Sequence, residues 1–372
     1  MDIKMGTPRH ELAPLINAGV VVAYSGNWPT YEVLSRRLEW SLAHFTPFYE
    51  PYSCDELFLD LAHIPAQTAE AYARIIKQTV AKWTGLPLSL GIGPTKTIAK
   101  CAIERAKKTD GICVLINQTD IDTFLDTFPV QDVWGIGDKK AQFLKHHHML
   151  TAKAFRDAPP WWVRQHMSVV SARTQLELRG IQAFPIIQER ATKHEIMVNR
   201  AFGRPVSEFR YLVEALSFYT ARACEKLRAE HLNAAKLSVY LATNPFRKNE
   251  RQYARNISIT LPRPTSYTPA IIEAALAGLE QIYQPYPFHR VGIALRALTL
   301  QTPEQGAIFA PHYLSAQEKR LMQAMDAICQ KFGREAIRFL GSGMQRPWAS
   351  KQDHRSHRAL TQWKELPIVY VR

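Results

Sequence analysis

The sequence predicts a mixed α/β chain of the α+β class, and three stretches carry that prediction. Residues 1–117 alternate short apolar runs with helical periodicity, and residues 118–185 read as helix almost throughout. Residues 190–300 run strand, helix, strand, strand, helix, strand, the split β-α-β-β-α-β pattern of a separate small domain. At 372 residues the chain has length for several domains.

In order, a Gly6-Thr7-Pro8 turn opens the chain and a short helix follows at 10–16. Val20-Val21-Val22-Ala23-Tyr24, bounded by Gly19 and Gly26, reads as a buried strand. Leu34, Leu38, Leu42 and Phe45 share one face of a helix over 31–45. A strand at 52–61, a helix at 68–83 and an apolar strand at 86–92 come next, then a basic helix at 96–108 and a strand at 111–116. In the small domain the strands fall at 194–202, 236–242, 257–261 and 290–299, with helices at 208–229 and 269–283. The last stretch, 301–372, holds one well-patterned helix at 316–332 and a basic, weakly patterned end.

Charge points to a partner. The chain has 47 Lys and Arg against 33 Asp and Glu, a formal net charge of +14. Such a surface favours a polyanion, with nucleic acid first. An acidic membrane surface ranks below it, since no amphipathic basic helix stands at either end. No apolar stretch approaches the ~20 residues of a membrane helix, and residues 1–8 lack the basic and apolar parts of a leader, so a cytoplasmic location is expected. Cys54, Cys101, Cys113, Cys224 and Cys329 stand singly with no C-x-x-C, which argues against a disulfide framework and a structural zinc.

Three constellations bear on chemistry. Asp55 and Glu56 head the apolar run Leu57-Phe58-Leu59. Adjacent strand residues face opposite ways, so the two acids converge only where the strand bends or starts. There they suit magnesium, which takes one or two carboxylates plus substrate phosphates; the plainer reading is two solvated acids at a hairpin. Next, Gly91-Ile92-Gly93-Pro94-Thr95-Lys96 feeds a helix whose Lys96, Lys100 and Lys107 share a face. Free amides and lysines there favour phosphate, and a solvated basic face is the alternative. Third, Val133-Trp134-Gly135-Ile136-Gly137, followed by Asp138, Lys139 and Lys140, has the helix-hairpin-helix pattern. Its glycines let backbone amides approach a DNA phosphate without reading sequence. Weaker features are the tract His146-His147-His148, read as surface, and a basic loop with Arg247 and Lys248 suited to a nucleic-acid backbone. Gln305 with Ile308 and Phe309 could dock in an apolar groove.

Together, Y-S-C-D-E-L-F-L-D-L, G-I-G-P-T-K-T-I-A-K, D-V-W-G-I-G and the basic β-α-β-β-α-β domain resemble the Y-family of translesion DNA polymerases, most of all its bacterial UmuC type. The resemblance runs from about residue 3 to the end, including Gly341-Ser342-Gly343. It implies a right-handed polymerase with palm and fingers up to 117, a helical thumb over 118–188, a little finger over 189–300 and a UmuC-type tail over 301–372. It implies error-prone DNA synthesis in the SOS response to DNA damage, by nucleotidyl transfer with two Mg²⁺ ions. Asp55 and Glu56 match the family's second and third catalytic carboxylates, and Lys107 matches the lysine on the incoming triphosphate. The turn at Gly135, Ile136 and Gly137 matches the thumb hairpin on DNA, and Gln305, Ile308 and Phe309 sit where relatives carry a sliding-clamp peptide. Implied partners are primer-template DNA, dNTP, the sliding clamp, a processed UmuD-type subunit and a RecA filament. Family members also open with a strand reading roughly D-x-N-x-F-Y, which bears the first metal ligand and the steric gate; the motif occurs nowhere in this chain. The expectation is therefore a shortened palm and fingers. Either the chain is part of a longer polymerase, or it is an inactive copy that binds damaged DNA and the clamp.

Overall fold

The computed structural model describes residues 3–188, 192–247, 249–301, 316–333 and 335–369. The chain divides into two compact units: Met1–Arg190 with His354–Arg372, and Ala191–Asp353.

In the first unit, α1 (Ala13–Asn17) and α2 (Trp28–Leu42) precede a hairpin of β1 (Tyr49–Pro51) and β2 (Leu57–Leu59), with α3 (Ala69–Thr84) following. The predicted face of α2 is real: Leu38 and Leu42 are buried with Ile76 and Val80 of α3, and Phe45, Leu57, Leu59 and Leu90 pack against them. Gly85 ends α3 in the left-handed region at φ 73, where only glycine is unstrained. Then β3 (Leu90–Ile92), α4 (Lys96–Ala106) and β4 (Ile112–Val114) form a β-α-β link with parallel strands.

Three sequence expectations fail here. The Val20-to-Tyr24 run is no strand: Val20, Val22 and Tyr24 are exposed, Tyr24 by 75%. Among the described residues, Ser25 alone of its neighbourhood makes a bridge, parallel, to Arg355. With no neighbouring strand to pair with, the Val20 and Val21 N–H groups donate back to Leu15 O, at 3.0 and 3.2 Å, and close the turn after α1. The strand expected at 52–61 is instead the turn and second arm of the hairpin. Tyr52 and Ser53 N–H both donate to the Glu56 carbonyl, at 3.0 and 3.1 Å, which folds residues 52–56 back on themselves. The strand expected at 86–92 starts only at Leu90, beyond Pro87, which has no amide to give a ladder.

The helices α5 (Gln118–Thr127), α6 (Asp138–His146), α7 (Ala152–Asp157), α8 (Pro160–His166) and α9 (Val169–Leu178) complete this unit. They share a second core with α4, centred on Ile98, Leu125, Leu144, Phe155 and Leu178. The segment 354–369 also belongs to this unit: the Ser25 N–H donates to His354 O at 2.9 Å, and the buried Asn27 amide donates to Ser356 and His357.

The second unit is a four-stranded antiparallel sheet of β5 (Glu195–Val206), β6 (Leu232–Ala242), β7 (Ala254–Thr265) and β8 (Phe288–Leu300) in the order β5-β8-β6-β7. The helices α10 (Phe209–Ala229) and α11 (Thr268–Ile282) cover one face, where Leu212, Leu216, Leu237, Val239, Ile271 and Ile293 form the core. Helix α12 (Ala316–Phe332) is tied to α10 by Asp326, which accepts two bonds from Arg228 at 2.7 Å. Trp348, 2% exposed, enters the same core against Phe202, Phe218 and Tyr219. Among the described residues, no helix is long and apolar enough to cross a membrane.

Candidate active site

The hairpin turn presents the two acids. Asp55 is exposed at its tip, and its Oδ1 accepts from the Ser53 hydroxyl at 2.5 Å and, weakly, from the Cys54 thiol at 3.6 Å. The Ser53 bond is the main reason the Asp55 carboxyl lies below its ordinary range. Glu56 sits where the chain re-enters β2, and its Oε1 accepts from Lys100 Nζ on α4 at 2.7 Å.

What aims α4 at the hairpin is the Gly-Ile-Gly before it. A Cβ at Gly91 would stand 2.3 Å from Ala99 O and 2.5 Å from Ile103 N, and one at Gly93 would stand 2.7 Å from Ile98 Cγ2. The glycines let the helix lie directly on β3. The first turn of α4 is buried, and the amides of Thr97 and Ile98 are satisfied by side chains. Thr95 caps it by accepting from Ile98 N–H, and the Thr97 N–H donates to the buried carboxylate of Glu177 at 2.9 Å. Glu177 also accepts from the N–H groups of Ala183 and Phe184, at 2.8 and 2.9 Å. The expected phosphate cradle at this helix start is therefore a packing joint, its amide already given to a carboxylate.

Of the three lysines on the α4 face, Lys96 and Lys100 reach the hairpin. Lys107 caps the far end of the helix, where it pairs with Glu104 at 2.8 Å, and no hydrogen bond or ion pair joins it to Asp55 or Glu56. Magnesium prefers six oxygens, few of them from protein. Two carboxylates fit that share for an ion completed by substrate phosphate and water. Among the described residues, no group of three His, Cys, Asp or Glu is placed to hold a metal.

The second Gly-Ile-Gly is open. Gly135 has φ +88, Val133 and Ile136 are buried beneath the turn, and Gly137 is the exposed first residue before α6. No side chain caps α6, and a Cβ at Gly137 would meet nothing within 4 Å. Lys139 is exposed, and Lys140 Nζ donates to Gly135 O at 3.2 Å. Trp134 links this turn to the hairpin: its indole N–H donates to the Tyr52 hydroxyl at 3.1 Å, and its ring packs on Tyr52, Phe58 and Phe184.

In the second unit, Arg247 is exposed and pairs with Glu250 at 2.8 Å. Lys248, Gln305, Ile308 and Phe309 lie outside the described residues. The sheet face turned from the helices is largely polar. Register sets Asn199, Gly292, Tyr240 and Asn256 in one row, with Ser238 and Ser258 beside them, and Arg296 and Lys236 in the row flanking these. Lys96 and Lys100 were legible from sequence, by their spacing, as part of a phosphate-favouring lysine face and Trp134 as part of the 133–137 motif, whereas Glu177 and this sheet face carried no mark.

Residues 1–104 match the impB/mucB/samB family, residues 193–308 its C-terminal domain, and residues 319–369 a domain of unknown function (DUF4113). Protein UmuC of Salmonella typhimurium is 33% identical over 98% of this chain and 88% of its own length. Protein SamB of the same organism is 31% identical over 99% and 88%. Protein MucB of Escherichia coli is 28% identical over 100% and 89%. Among solved structures, a Y-family DNA polymerase chimera (Dbh-Dpo4(243-245)-Dbh) shares the fold with a TM-score of 0.62 at 17% identity, over 80% of this chain and 84% of its own. The chain belongs to the impB/mucB/samB family, the UmuC type of Y-family DNA polymerase.

Proposed function

We propose that this chain carries out template-directed, error-prone DNA synthesis past damaged bases. The observation that carries it is the acidic turn of Asp55 and Glu56, braced by a lysine-bearing helix and joined through Trp134 to an uncapped helix start. Asp55 and Glu56 are the residues that would hold magnesium, two ions in the family's full site. Bound there, the metal supplies charge neutralisation at the reacting phosphate and acidifies the primer hydroxyl. Ser53 keeps Asp55 ionised and oriented for that task. Lys107, exposed at the end of α4, is assigned to the incoming triphosphate.

DNA is held by charge and backbone rather than by base readout. The 135–137 turn, the first amides of α6 and Lys139 and Lys140 take phosphate, and Arg247 and Lys248 serve the same role in the second unit. The assigned parts are palm and fingers to 117, thumb over 118–188, little finger over 189–300 and tail over 301–372. Sliding clamp, UmuD-type subunit and RecA filament are the assigned protein partners.

A second reading is DNA and clamp binding without turnover. It is favoured by the uncapped start of α6, which can take a DNA phosphate without any chemistry. Primer extension by the 372-residue chain with Mg²⁺, beside an Asp55→Asn, Glu56→Gln chain, separates the two. Extension that the control loses establishes synthesis; DNA binding without extension establishes the second reading.

A further inference from the structure

Two Lys–Glu pairs join α4 to the β1–β2 hairpin, and they differ in how fully they are used. Lys96 is closed in. Its ammonium donates to Glu50 Oε2 at 2.5 Å and to Pro185 O at 2.8 Å, and lies 4.9 Å from the Phe58 ring centroid. Glu50 Oε2 also accepts from Ile187 N–H at 2.6 Å. This pair is a staple: it ties helix, strand and the 185–187 segment together and has little capacity left.

One helical turn on, Lys100 donates to Glu56 Oε1 at 2.7 Å and lies 5.7 Å from the Tyr52 ring centroid. Its side chain is 15% exposed, that of Glu56 34%. Neither makes a second hydrogen bond among the described residues. An ammonium has three donors, so Lys100 holds two in reserve, and Glu56 holds a whole oxygen in reserve. A lysine this covered depends on an anion: with Glu56 taken from it, it loses its hydrogen-bonded counter-charge and keeps only the weaker Coulombic reach of Asp55.

We propose that Lys100 is the exchangeable counter-cation of the site: it neutralises Glu56 while that carboxylate is free, and donates to the phosphate oxygens of a nucleoside triphosphate once a divalent cation has engaged Glu56. The inference rests on the polymerase reading above. Charge balance supports the exchange. A cation arriving on Glu56 frees Lys100, and the triphosphate that accompanies it is the anion within the same reaction. Lys96 cannot serve, since Glu50 and Pro185 hold it, and Lys107, paired with Glu104, is not the counter-cation of Glu56, whatever part it takes with the triphosphate.

The test uses equilibrium binding, so it needs no turnover. Wild type, Lys100→Met, Lys100→Arg and Glu56→Gln chains are titrated with Mn²⁺ alone, followed by electron paramagnetic resonance, and with dATP at saturating Mg²⁺, followed by equilibrium dialysis. Lys100→Met binds Mn²⁺ at least about threefold more tightly, because a competing charge is gone. It binds dATP about tenfold more weakly, because a charged hydrogen bond is lost. Lys100→Arg retains most of the dATP affinity. Opposite signs on the two ligands are the signature, since a merely structural lysine would weaken both. Loss of both affinities together, or no change in either, overturns the role of Lys100. If Glu56→Gln binds Mn²⁺ as wild type does, the metal reading itself falls and takes this role with it.

Discussion

The same tripeptide, Gly-Ile-Gly, stands before two helices of one unit, and the two helix starts have opposite fates. Before α4, Gly91 and Gly93 press the helix onto β3, and the first turn is buried, capped by Thr95 and sealed by Glu177. Before α6, Gly135 turns the chain through positive φ, Gly137 faces open space, and no side chain caps the helix. A helix N-terminus carries unsatisfied amides and a partial positive charge in either case. Whether it can receive a phosphate depends on whether the fold has already supplied an anion. At α4 the anion is the buried Glu177, bonded to the Thr97 amide; at α6 it is only the exposed Asp138 of the first turn itself, with no side chain capping the amides.

The largest effect expected from breaking this contrast is at Glu177. Glu177→Ala leaves the amides of Thr97, Ala183 and Phe184 without their acceptor, at a cost of about 3 kcal/mol or more in urea unfolding. A loss within ~0.5 kcal/mol, the range of ordinary surface changes, would show that the α4 start is not sealed.

Next come the glycines themselves. Gly91→Ala drives a methyl into backbone atoms 2.3 and 2.5 Å away and should destabilise by about 1–3 kcal/mol. Gly137→Ala meets nothing and should leave stability within about 0.5 kcal/mol of wild type, while DNA affinity drops because a methyl now stands where phosphate approaches. Equal stability losses at both positions would erase the contrast.

Replacing Lys139 and Lys140 with Gln should weaken binding to every DNA sequence alike and flatten the log affinity against log salt slope by about 2. An unchanged slope in fluorescence anisotropy titrations would remove α6 from the contact surface.

The smallest effect is at the acidic turn. Ser53 holds the Asp55 carboxyl below its ordinary value of 3.8, so this contribution to stability is whole above that value and is lost as pH falls through the lower folded one. Ser53→Ala should move Asp55 back up, read by NMR titration of its side chain; an unmoved carboxyl would mean the hydroxyl plays no part.

Much of the fold was legible because it rests on local periodicity. The helices α2, α3, α4, α10 and α11 and the six-element order of the second unit all follow from where apolar residues recur. The run at 20–24 misled because apolar character alone does not make a strand; a neighbour must pair with it. The site was legible as residue types: two adjacent acids, a lysine row, a Gly-Ile-Gly turn before lysines.

What the sequence determined by itself was chemistry and propensity: a basic chain with adjacent acids and a family-specific order of motifs. Tertiary structure decided which groups are free to act. It placed Asp55 and Glu56 on a turn rather than in a strand, gave Lys100 to Glu56 and Lys107 to Glu104, and chose the strand order β5-β8-β6-β7. It also spent one helix start on Glu177 and left the other open. The reason is physical: periodicity is a property of neighbours along the chain, whereas the partner that satisfies a charge or an amide is set by packing, here across 80 residues from Glu177 to Thr97.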